Sequence, residues 1–150
     1  MSVMIFLHVL AMFIAFGLTA GTGIFSTILA MSADPNIIRV AMGISRRLNM
    51  IGGISMLIGI LIGFGMASEM GISLGSTWLV VTYICIVLMF VLLGGVLGPW
   101  AARVEAAVKA AGSQSTPELV AAVNNPGGRI AGPLVGVLWI IIIAMMVLRP

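Results

Sequence analysis

Charge is what this chain is short of. Only 7% of its residues are charged and 61% are hydrophobic, whereas a soluble domain carries about 25% charged residues. A soluble core of this size could not hide so much apolar surface, so the composition implies a bilayer as solvent. Acids are scarce. Asp34, Glu69, Glu105 and Glu118 are scattered through the connections, and no pair of carboxylates for general acid/base work is visible. There is one cysteine, Cys85, which excludes an intrachain disulfide and a cysteine-cluster metal site; it lies mid-span and reads as a packing residue. There is also one histidine, His8. A net charge of +3 without any basic run excludes the usual nucleic-acid footprint.

What is present is a set of long apolar runs. A transmembrane helix needs about 20 mostly apolar residues. Four segments qualify, Val3 to Ala30, Leu48 to Ala67, Trp78 to Gly98 and Ile130 to Leu148. The whole chain, residues 1–150, is therefore read as one transmembrane domain, an all-α antiparallel four-helix bundle. No Lys or Arg precedes the first run, and that run is longer than the roughly 7–15 apolar residues of a secretory signal, so it is expected to be a true span. Connection 31–47 carries Arg39, Arg46 and Arg47, and connection 99–129 carries Arg103, Lys109 and Arg129. The middle connection, Ser68 to Thr77, carries none. The positive-inside rule places both basic connections in the cytoplasm and both termini outside, as expected of a multi-pass inner-membrane protein. Trp78 and Trp100 bracket the third span about 33 Å apart, close to the hydrocarbon thickness, and read as interface anchors. Trp139 lies inside the fourth span and is expected to pack between helices.

Asp34-Pro35 and Thr116-Pro117 each place a capping side chain before a proline at the first helical position. The first of these helices is expected to run through Arg46 and Arg47 into the second span. The other must stop at Asn124-Asn125-Pro126-Gly127-Gly128, and the third span is expected to extend past Trp100. The two halves read alike, with Asp34 to Ile38 resembling Thr116 to Val120 and Arg47 aligning with Arg129, which points to a tandem repeat of two helical hairpins. Small residues four apart recur in every span: Gly17 and Gly21, Gly59 and Gly63, Gly94 and Gly98, then Gly128, Gly132 and Gly136. They predict close helix packing within the bundle. Pro99 and Pro133 predict local bends. No polar stripe is evident along any span, which argues against a transporter or channel.

His8 is the only residue of the Asp, Glu, Lys, Arg and His set inside an apolar run. Met4, His8 and Met12 are four apart and share one helical face. Thioether and imidazole suit copper, and an axial His or Met suits haem. A lone histidine can equally serve the bundle by hydrogen bonding. The antiparallel arrangement brings Thr82 and Tyr83 to the depth of His8, so its ring is expected to face the interior beside one of them. Arg46 and Arg47 read as anchors for anionic lipid headgroups.

Phe6-Leu7-His8-Val9-Leu10, with Gly17, Asp34-Pro35, Arg47, the glycine-rich second span, Trp78 and Pro99-Trp100, resembles bacterial predicted integral membrane proteins of unknown function. Those proteins are distantly similar to CopD-like copper-resistance domains and to HemJ-like four-helix membrane proteins. The resemblance implies that His8 binds metal or haem. The chain departs from that pattern in having no second histidine and no intramembrane lysine or acid. The leading expectation is a non-enzymatic accessory or assembly subunit, in contact with lipid and with a larger membrane complex or its own copies. The alternatives are a haem- or copper-binding protein using His8 with Met4 or Met12, and a small transporter or channel.

Overall fold

The computed structural model describes residues 2–149, and every regular element among them is helical. Helix α1 spans Ser2–Ala30 and α2 Pro35–Glu69. Helix α3, Thr77–Val91, continues through a π-helical segment, Leu92–Leu97, into α4, Gly98–Ala111. A short α5, Pro117–Val123, leads to α6, Pro126–Leu148. Four of the resulting rods are long and apolar enough to cross a membrane. The chain is thus an all-α four-helix bundle and a multi-pass membrane protein.

The termini of these helices follow from local chemistry. Asp34 accepts the Asn36 N–H at 2.8 Å, with Pro35 opening α2. Thr116 accepts the Leu119 N–H at 3.3 Å, with Pro117 opening α5. Both are the expected N-caps. Helix α2 runs unbroken through Arg46 and Arg47, whereas α5 ends at Val123 and Asn125 caps α6 by accepting the Gly127 N–H at 3.0 Å. The two halves therefore differ at their second span, which is one rod in the first half and two helices in the other. Helix α2 closes with Gly71 at φ +63° and an Ile72 N–H donated to Ala67 O at 2.9 Å, a glycine-terminated cap.

Proline acts less simply than expected. Pro99 has no N–H, and its ring crowds the carbonyl four residues back. The chain answers by inserting a residue: Gly98 N–H reaches Leu93 O, five residues back, and the preceding turn is π-helical. Helix α6 continues through Pro133.

Helix α1 packs along α2 on one side and α6 on the other, and α6 packs against α3. Helices α2 and α3 have no comparable contact. One end of the bundle gathers the start of α1, the end of α2, the start of α3 and the end of α6; it is termed the His8 end. The opposite end carries the arginine-bearing connections and is termed the basic end.

Two apolar clusters hold the bundle. The central one includes Met56, Cys85, Met89, Val135, Trp139 and Ile142. Trp139 is 1% exposed, meets Phe16 edge-on at 5.7 Å and donates its indole N–H to Thr19 at 3.1 Å, so it packs between helices as expected. The second cluster, at the basic end, is built on Trp100 with Ile38, Val104, Val108, Leu119 and Val123. This corrects the reading of Trp100 as an interface anchor. It is 6% exposed, it donates its indole N–H to Ala122 O at 3.1 Å, and its ring lies directly over Gly128. The folded-back α5 supplies the acceptor that headgroups would otherwise provide.

A second correction concerns polarity. Thr19, Thr22 and Ser26 form a buried seam on α1. Thr22 meets the Asn49 side chain at 2.7 Å, and Ser26 meets Ser45 at 2.8 Å. The remaining hydroxyl capacity goes to α1 carbonyls, with Thr19 donating to Ala15 O at 2.7 Å and Ser26 to Thr22 O. No buried side-chain polar atom among the described residues lacks a partner. Such interhelical bonds contribute about 0.6 kcal/mol each in membranes.

The glycines divide. A Cβ at Gly52 would lie 2.9 Å from the Thr19 methyl, and one at Gly63 3.0 Å from the His8 ring. Gly59 sits under the Met12 thioether and Gly128 under Trp100. Gly132 has looser contact with Thr27, and a Cβ at Gly98 would meet Leu93 O of its own helix. At Gly17, Gly21, Gly94 and Gly136 a Cβ meets nothing within 4 Å, so the chain makes no close approach of its own at those four.

Candidate functional site

The His8 end holds a chamber of about 250 Å³ to which all four membrane rods contribute. It exists because the backbones of α2 and α3 stand apart, their side chains meeting there through Phe64 and Tyr83. Its walls are mainly apolar, with His8 from α1, Phe64 from α2 and Thr82 and Tyr83 from α3. Trp78 and Arg149 also line it, with the Arg149 guanidinium 5.5 Å from the Trp78 ring centroid, a cation–π pair. A second hollow of about 290 Å³ lies between α1 and α6, lined by Phe13, Phe16, Trp139 and Ile142, and His8 borders both.

The seat of His8 follows from the spacing of two helices. Met4, His8 and Met12 form a ridge on α1 directed at α2. Gly59, Gly63 and Gly65 leave the matching groove, with Met12 over Gly59, the imidazole over Gly63 and the Met4 methyl 3.5 Å from a Cβ at Gly65. A ring in that groove can reach backbone: His8 Nδ1 lies 2.8 Å from Gly59 O. A carbonyl only accepts, so Nδ1 carries the proton and Nε2 of the neutral ring keeps its lone pair. Nε2 has no hydrogen-bond partner among the described residues and is not sealed off, since no buried polar side-chain atom there is unpartnered. A fixed proton on one ring nitrogen and an accessible lone pair on the other is the arrangement by which proteins orient a ligand histidine.

Thr82 and Tyr83 share the chamber with His8, as the helix order predicted. Neither bonds to it. Thr82 donates to Trp78 O at 2.8 Å, and Tyr83 stacks on Phe64 at 5.6 Å and 22°. The partner of His8 is Gly59 O, a group that sequence reading overlooked because every residue has a carbonyl and only a missing side chain exposes one laterally. The glycines at 59, 63 and 65 were the available signal.

Among the described residues no group of three His, Cys, Asp or Glu could hold a metal ion. A metal here would rest on His8 Nε2 with a thioether such as Met12 or Met4. Donors of that kind suit a soft ion such as copper(I) or one axial position of haem, and both thioether chains are seated on the α2 groove, Met12 over Gly59 and Met4 against Gly65. Bis-histidine haem does not fit a chain with one histidine. The carboxylates lie away from the ring. Asp34 caps α2, Glu118 is exposed at the start of α5, and Glu105 binds Lys109 at 2.9 Å, whose ammonium holds that carboxyl below its ordinary value. Glu69, the acid at the His8 end, is exposed.

Fold and chamber together define a polytopic helical membrane protein with a single histidine presented to a half-open cavity between its rods. No protein-family model, curated protein or solved structure matches the chain.

Proposed function

We propose that the protein is a non-enzymatic accessory or assembly component of the inner membrane that holds one ligand at His8. The observation that carries this is the Nδ1 to Gly59 O bond, which fixes the ring and leaves Nε2 available. Copper(I), or a haem iron taking a single histidine, is the ligand class that an imidazole flanked by thioethers suits. The resemblance of Phe6-Leu7-His8-Val9-Leu10 to membrane proteins distantly similar to CopD-like and HemJ-like families would imply the same ligand class. The absence of a carboxylate or lysine beside the ring, among the described residues lining the chamber, supports holding over proton chemistry. The transporter reading gains little from the hydroxyl seam, because its groups bond one another and helix carbonyls.

In this reading the basic end, with Arg39, Arg46, Arg47, Arg103, Lys109 and Arg129, faces the cytoplasm, and the chamber opens outside. The exposed apolar faces of all four rods meet lipid or a partner subunit. The test is the absorption spectrum and metal content of the protein purified in mild detergent, beside His8→Ala. A Soret band or stoichiometric copper that His8→Ala abolishes is expected. A colourless, metal-free protein that co-purifies with a larger complex would retain the accessory role and reject the His8 ligand.

A further inference from the structure

The chamber leaves the basic end unexplained, and there α2 carries a second constellation. Arg39, Gly43, Arg46, Arg47 and Met50 fall on one side of the helix, and all are exposed. A Cβ at Gly43 meets nothing within 4 Å, so the backbone there is a bare floor. Two adjoining depressions share Arg39, Gly43 and Arg46. One, of about 170 Å³, lies against α4 and is walled by Glu105 and Lys109. The other, of about 550 Å³, is more open and runs along α2 past Arg47 and Ile44 to Met50.

The spacing suits a phosphate. Arg39 stands about 6 Å along the axis from Gly43 on one side, and Arg46 and Arg47 about 4.5 and 6 Å on the other. Guanidiniums on both sides can converge over the glycine. Arg39 is positioned by donating one N–H to Gly112 O at 3.0 Å, which leaves the rest of its planar fork for a ligand. Four cations line the two depressions, and Glu105, already bound to Lys109, is their one acid. Beyond Arg47 the same helix exposes Met50 (63%), Ile51 (47%) and Ile54 (53%). The cationic floor therefore runs directly into an apolar strip at membrane depth.

We infer that this cleft binds the headgroup of an anionic phospholipid, with its phosphate over Gly43 between Arg39 and the Arg46–Arg47 pair and an acyl chain along Met50, Ile51 and Ile54. A soluble phosphate would satisfy the same cations and leave the apolar strip unused; continuity of floor and strip selects the lipid. The inference is independent of the His8 reading, since it uses another end of the bundle.

Native mass spectrometry of the detergent-solubilised full chain, titrated with phosphatidylglycerol or phosphatidylcholine, tests it. One phosphatidylglycerol retained in preference to phosphatidylcholine is expected, without displacement by millimolar inorganic phosphate. Arg39→Gln and Arg46→Gln should each weaken retention about fivefold, the effect of one cation at a membrane surface. Gly43→Leu keeps every charge and fills the floor, and it should remove the preference. Glu105→Gln, an exposed change that leaves the arginines in place, should strengthen retention and keeps the test decisive where an arginine variant fails to fold. Equal retention of both lipids, full binding by Gly43→Leu, no gain in Glu105→Gln, or displacement by inorganic phosphate would overturn the proposal.

Discussion

The two ends of this bundle are made from similar apolar sequence and are packed by opposite rules. At the basic end a short helix, α5, folds back on α4, and Trp100 fills the space between them, pressed on Gly128 and tied to Ala122 O. At the His8 end the seven-residue connection between α2 and α3 adds no such element. The α2 and α3 backbones stay apart there, bridged by the Phe64–Tyr83 stack, and the gap becomes a chamber. A glycine beneath a ring occurs at both ends, Gly128 under Trp100 and Gly63 under His8. One ring is boxed in and the other borders open volume. Close packing in a membrane bundle thus depends on what returns to cover a ring, and the end left uncovered is the one with a chamber between its rods.

The comparison is most easily broken at Trp100. Trp100→Ala should lower stability by about 3–5 kcal/mol, the cost of deleting a buried aromatic, read as the unfolding midpoint in one fixed detergent. A change under 1 kcal/mol would mean that the basic end is no tighter than the other. Gly128→Ala should follow at about 2–3 kcal/mol, because the added methyl overlaps a ring with nowhere to move. The same substitution at Gly63 should cost about 0.6–1.7 kcal/mol, since the His8 ring can shift into the chamber but gives up its bond to Gly59 O. Equal losses at the two glycines would erase the distinction. Between the ends, Thr22→Val should cost about 0.6–1.7 kcal/mol by removing the bond to Asn49, and no loss at all would mean that the seam follows from packing of α1 on α2 and does not hold it.

The smallest effect is expected on α4. Lys109 holds the Glu105 carboxyl below its ordinary value. Any stability from that exposed pair is therefore fully present above the ordinary carboxylate range and is lost as pH falls through the lowered value. Lys109→Gln should raise the Glu105 titration midpoint, followed by NMR of its carboxyl carbon, with little change in unfolding. An unmoved midpoint would contradict the ion pair.

Much of the fold is legible in the residues. The four apolar runs, the capping Asp34 and Thr116, the unbroken α2 and the stop at Asn124 are all local matters, and local rules place them. What escapes depends on which faces meet. Thr19, Thr22 and Ser26 look like incidental polar residues in an apolar run until α2 brings Ser45 and Asn49 against them and α6 brings Trp139. Trp100 has the depth of an interface anchor, and only the return of α5 buries it. At the candidate site the Met4–His8–Met12 ridge was readable from its spacing. The carbonyl that fixes His8 was not, because a backbone acceptor has no signature in composition.

The π-helical turn at Leu92–Leu97 has one further consequence. Inserting a residue into a helix rotates everything beyond it by about 100° relative to an unbroken register. The rod from Thr77 to Ala111 is therefore out of phase with itself. Before the turn, Leu79, Thr82, Cys85 and Met89 are the buried residues, and α3 packs on α6; after it, Trp100, Val104 and Val108 are buried, and α4 meets α5 and α2. One helix works as two with different azimuths. Deleting a single residue between Leu92 and Leu97 would restore an α-helical turn and leave Trp100 over Gly128, whereas an α-helical turn with every residue kept would swing Trp100 about 100° off that seat.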